Sequence, residues 1–140
     1  MSKRNYKKIP IRLNAIGHLE VDVNIDGINT LFLLDTGASN TVVDIGFAKE
    51  NLMEFDSMDE MGGGVGTSQL SIFHKKIDLF KINNFEIKSF DLYATDFQHV
   101  KDSLAQKGIT QTCNGVIGAD ILIKYNAKIN YNKKKLYLKK

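Results

Sequence analysis

One cysteine, Cys113, is all that the 140 residues contain, so no intrachain disulfide can form and nothing argues for an oxidising compartment. No apolar run approaches the roughly 20 residues that a membrane-spanning helix needs. Proline is equally scarce: Pro10 stands alone near the N-terminus, where it suits a first or edge strand. His18, His74 and His99 are scattered without the spacing of metal ligands, so neither a metal nor another cofactor is expected. Cys113 has no companion thiol and no indicated histidine partner, which makes it a poor candidate nucleophile. Residues 1–8 are basic, but the stretch after them alternates like a strand and lacks the continuous apolar core of a secretory signal. The expectation is a cytoplasmic protein without a membrane partner.

What the chain does have is apolar alternation. Ile9, Ile11, Leu13 and Ala15 alternate with polar positions, as do Leu19, Val21, Val23 and Ile25, with Gly17-His18 between the two runs. Asp26-Gly27 is a favoured hairpin turn into a strongly apolar strand, Ile28 to Leu34. Lys76 to Lys81 and Phe85 to Tyr93 flank a turn at Asn83-Asn84. Near the C-terminus, Ile129 and Tyr131 face Leu136 and Leu138 across another hairpin. Short helices are expected over residues 95–107 and 119–125, and residues 44–52 read as helix or loop. The fold class is therefore mainly β, and 140 residues suit one compact domain. Residues 1–8 read as a basic extension and 9–140 as the single domain.

The apolar strand runs directly into Asp35-Thr36-Gly37-Ala38, which sets one carboxylate in a tight turn. Gly37 lets the backbone turn closely, and Thr36 offers a hydroxyl to lock the turn. A bare Asp-Thr-Gly arises by chance in roughly one chain in thirty of this length, and an Asp that merely caps a β-turn produces the same triplet, so its surroundings must decide. Two later segments supply them. Gly62-Gly63-Gly64-Val65-Gly66 lacks side chains over most of its length and can approach another backbone closely; a disordered loop is the bland alternative. It is not a phosphate loop, because Thr67 stands where a Lys would have to come after the last glycine. Further on, Gly115-Val116-Ile117-Gly118 leads into a helix whose first turn contains Asp120, read as a helix cap.

In their order and spacing these three elements resemble the retropepsin-like aspartic proteases, a likeness that runs from about Ile9 to Leu138. The resemblance implies a single-lobed closed β-barrel of the acid-protease fold with one or two short helices. Asp35 would be the catalytic acid, Thr36, Gly37 and Ala38 its supporting turn, and Gly63, Gly64, Val65 and Gly66 a flap over an extended peptide or protein substrate. Val116, Ile117 and Gly118 would brace the turn from beneath; with the Asp35 segment they hint at internal pseudo-symmetry. Such chemistry needs two carboxylates around one water, yet there is no second Asp-Thr-Gly, so a homodimer is implied. The family's terminal strands interleave between subunits, and these could do the same. Viral members carry an Arg after the second glycine motif and an acidic residue two past the triplet. Ala119 and Ser39 stand here instead, which favours a cellular or bacterial type. The competing class is a non-catalytic, peptide-binding module of the same shape. The modest net charge of +3, gathered at the two ends, reads as solvated lysines, and nucleic acid is not an expected partner.

Overall fold

Alternating apolar residues do what period-two patterning dictates. In the computed structural model, which describes residues 5–58, 71–106, 108 and 113–140, strand succeeds strand from end to end. They are β1 (Tyr6–Pro10), β2 (Arg12–Leu13), β3 (Leu19–Ile25), β4 (Ile28–Leu34), β5 (Val42–Asp44), β6 (Asp56–Ser57), β7 (Phe73–Ile82), β8 (Phe85–Thr95), β9 (Gly115–Ile117), β10 (Lys128–Asn130) and β11 (Lys135–Lys139). Three helices are described: α1 (Ile45–Glu50), α2 (Gln98–Gln106) and α3 (Ala119–Lys124). The first of them is the stretch that sequence left as helix or loop, and Asp44 caps it by accepting from the Gly46 N–H at 3.3 Å.

Leu19, Val21, Val23 and Ile25 all bury themselves on one face of β3. Asp26 and Gly27 both adopt positive φ, 48° and 97°, the geometry of a tight hairpin turn between β3 and β4. Strands run in the order β3-β4-β9-β5-β8-β7, and β7 pairs back onto β3, which closes a six-stranded barrel. Closure removes free edges along most of the wall. Phe32 and Phe80 meet edge to face inside it, ring centroids 5.9 Å apart. Gly115 makes room for that ring: a Cβ there would lie 2.4 Å from Phe32.

The registers reveal a pseudo-two-fold relation. β4 pairs in parallel with β9, and β8 pairs in parallel with β5; β3 and β7 pair with each other, as do β5 and β9. The unit β3-β4-β5-α1 thus repeats as β7-β8-β9-α3. This corrects one expectation, since the Asp35 segment corresponds to the end of β8 and not to the Val116-Ile117-Gly118 segment. Those two lie side by side because parallel strands from different halves are neighbours across the axis.

The two chain ends meet. β1 pairs antiparallel with β11, and β11 with β10, so the terminal strands pair within one chain, where the family resemblance suggested interleaving between subunits. Ile9, Leu136 and Leu138 are fully buried on the inner face of this sheet, and their burial pins the ends to the barrel. Tyr6, Lys7 and Lys8 from the basic segment are part of β1, with Pro10 on the outer edge strand.

Candidate active site

β4 ends at Leu34, and the next residue turns away under backbone control. The Asp35 N–H donates to the Ile117 carbonyl at 3.0 Å, and the Ala38 N–H donates to the Asp35 carbonyl at 3.1 Å. The Gly37 N–H donates to Asp35 Oδ1 at 3.0 Å, so the carboxylate closes the loop on itself. Asp35, Thr36 and Gly37 are exposed and Ala38 is half-buried.

The segment Val116-Ile117-Gly118 runs beneath this turn. The Ala119 N–H donates to the Ala38 carbonyl at 2.7 Å and the Asp120 N–H to the Ser39 carbonyl at 3.1 Å. At Gly118 a Cβ would lie 2.6 Å from the Asn40 carbonyl carbon and oxygen and 2.9 Å from the Ala38 carbonyl oxygen. Only glycine permits that approach.

The hydroxyl that locks the turn belongs to Thr41. Fully buried, it donates to Asp120 Oδ1 at 2.7 Å and accepts from the Gly118 N–H at 3.0 Å, while its own N–H donates to Asp120 Oδ2 at 3.0 Å. Thr36, given that task from sequence, makes no side-chain hydrogen bond among the described residues. Asp120 does more than its expected role: its Oδ1 accepts from the Ile121 N–H in the first turn of α3 at 2.8 Å, although the N-cap position itself is Gly118, and the same carboxylate reaches across to hold Thr41. That bond spans 79 positions of sequence, and local pattern carries no trace of it.

Beside Asp35 lies a cleft of about 520 Å³ walled by Leu33, Val42, Phe97 and Val116, with His18 and Lys101 at its margin. Asp35 is the one carboxylate lining it among the described residues. Cys113 lies in its wall, and burial, followed by the nearby Glu20, pushes that thiol up to about 12, which keeps it protonated and unreactive. Phe97 and Lys101 come from the β8–α2 connection and α2, which the motifs alone did not assign to the site. They are held by Asp44, whose buried carboxylate accepts from Lys101 Nζ at 2.8 Å and from the Phe97 N–H at 3.2 Å. Burial opposes the charge on Asp44, but the bonds from Lys101, Phe97 and Gly46 together outweigh it and hold the carboxyl below its ordinary value.

Gly63, Gly64, Val65 and Gly66, expected as a flap, lie outside the described residues. No group of three or more potential metal ligands occurs among the described residues, and no described helix is long and apolar enough to cross a membrane.

A closed barrel with an Asp-Thr-Gly turn braced from below by an apolar-apolar-Gly segment defines a class, and comparison agrees. The aspartyl protease family model matches residues 21–121, so the chain belongs to the aspartyl protease family. Its fold is retropepsin-like. A retropepsin-like aspartic protease from Rickettsia conorii superposes with a TM-score of 0.59 at 17% identity, over 95% of this chain and 89% of that one. The retroviral protease-like domain of Ddi1 from Leishmania major gives 0.59 at 20% identity, over 86% and 87%. No curated protein sequence matches significantly.

Proposed function

We propose that the protein is an aspartic endopeptidase that works as a homodimer. Asp35 from each of two subunits holds one water; one carboxylate takes its proton while the other, protonated, polarises the scissile carbonyl. Neither a metal nor a covalent intermediate takes part. Thr36, Gly37 and Ala38 form the turn that presents the acid, Val116, Ile117 and Gly118 keep it rigid, and the segment Gly63-Gly64-Val65-Gly66 covers an extended peptide whose apolar side chains enter the cleft. A single buried thiol fits a reducing compartment, the cytoplasm.

The observation that carries this reading is the placement of Asp35: an exposed carboxylate, held by backbone bonds, and the one acid among the described residues that line a mainly apolar cleft. One carboxylate cannot supply both proton roles, which is why the reading requires a second subunit. The test is cleavage of an unstructured peptide library between about pH 4 and pH 7 by wild type and by Asp35→Asn. Cleavage by wild type that the near-isosteric change abolishes is the expected result. Absence of cleavage by wild type, or equal cleavage by both, would make the chain a peptide-binding module of the same shape.

A further inference from the structure

The terminal sheet β1-β11-β10 has two faces of opposite character. Its inner face carries the buried Ile9, Leu136 and Leu138. On its outer face the register places Lys8, Tyr137 and Lys128 side by side across the three strands, with Tyr6 opposite Lys139 one step along and Lys135 one step the other way. Tyr6 and Tyr137 meet edge to face with centroids 6.5 Å apart, and the ammonium groups of Lys128 and Lys139 lie 4.9 and 5.8 Å from the Tyr6 ring centre. Tyr6, Lys8, Lys128 and Tyr137 border a groove of about 490 Å³.

Charge sets the face apart. Residues 1–10 and 127–140 contain ten of the nineteen basic residues and none of the sixteen acidic ones. The remainder of the chain carries nine basic against sixteen acidic residues, so a chain of +3 divides into an acidic body and two basic terminal segments, from which Lys8, Lys128, Lys135 and Lys139 lie on this outer face. Lysines on neighbouring strands with no carboxylate between them repel one another, and an anionic partner would relieve that cost. A second copy stacked face to face is not that partner, because a two-fold contact sets lysine against lysine. An acidic protein would need only the charges. Two tyrosines on the outside of a sheet whose core is complete without them are the feature that a nucleobase recognises.

We propose that this face binds single-stranded nucleic acid, with phosphates on Lys8, Lys128, Lys135 and Lys139 and bases stacked on Tyr6 and Tyr137. The lysines that now cover the Tyr6 ring swing to the phosphates as a base takes their place. The function is separate from peptide cleavage and does not depend on Asp35.

The test is fluorescence anisotropy of labelled oligo-dT and oligo-rU with the full chain at 50 and 200 mM salt. Four phosphate contacts predict a log–log salt slope of about −2.8, a loss of about 50-fold over that range. The Lys8→Ala, Lys128→Ala double variant should flatten the slope by about 1.4. Tyr137→Leu should weaken binding about tenfold while Tyr137→Phe restores it, which separates stacking from misfolding. Lys88→Ala on the barrel and Asp35→Asn should bind as wild type does. Three results would overturn the proposal: no binding at 50 mM salt, competition by polyglutamate as effective as by oligonucleotide, or Tyr137→Leu binding as tightly as wild type.

Discussion

At Gly118 the chain has no room for a side chain, and the obstruction is backbone, which cannot swing aside. Gly118→Ala must separate α3 from the Asp35 turn, and overpacking of this kind costs about 1–3 kcal/mol. The expected outcome is a melting temperature lower by several degrees together with a larger fractional loss of peptidase activity, both read on the same preparation. If activity survives while stability falls, the turn tolerates displacement and its rigidity is not what the chemistry needs. Sequence made Asp35, Gly37 and Gly118 legible because turn chemistry is local. Thr41 and Asp120 stayed hidden because their bond joins distant parts of the chain, and the nearer hydroxyl, Thr36, was credited in place of the one that does the locking.

Among the elements, α2 is tied to the barrel through Asp44. Asp44 caps α1 and holds Lys101 and the Phe97 N–H, so one carboxylate ties two helices to the cleft wall. Its folded-state value lies below the ordinary one, near 3.9 in an unfolded chain, so its stabilisation is fully present above about pH 4 and is lost as pH falls through the depressed value. Thermal melts from neutral pH downward should therefore show an acid limb for wild type that is shallower in Asp44→Asn. The variant should also be less stable at neutral pH, by about 1–3 kcal/mol, because Lys101 is only partly exposed and loses its partner. Equal acid limbs would assign that sensitivity to other carboxylates. Helix positions were readable from sequence to within a few residues. The strand ends of β7 and β8 were not: Phe73 and His74 extend β7 by pairing with Ser57 and Asp56, and neither partner is close in sequence.

For the whole molecule, oligomeric state governs the proposed chemistry. If each active unit takes one Asp35 from each of two chains, mixing wild type with an equal amount of Asp35→Asn under exchanging conditions should lower activity per wild-type chain to about half, since mixed dimers are dead. Activity that simply tracks the wild-type concentration would mean that each chain acts alone. The mainly β class, the single lobe and the family likeness were all legible in alternation and motif order. A closed barrel followed from the family likeness, but the β3–β7 pairing that closes it was not legible, nor was the pairing of the terminal strands, because both are long-range contacts that leave no local periodicity.

That last pairing also sets a timetable. Pro10 meets Lys135, so β1 leaves the ribosome with no partner and waits while about 125 further residues are made, some 6–25 s at about 5–20 residues per second. During that interval Ile9 has no place to go, and the lysines beside it keep the waiting strand in water. The acidic body of the protein therefore has its chance to form before the basic sheet exists, and β11, made after β10, arrives as the central strand that draws β1 and β10 to it.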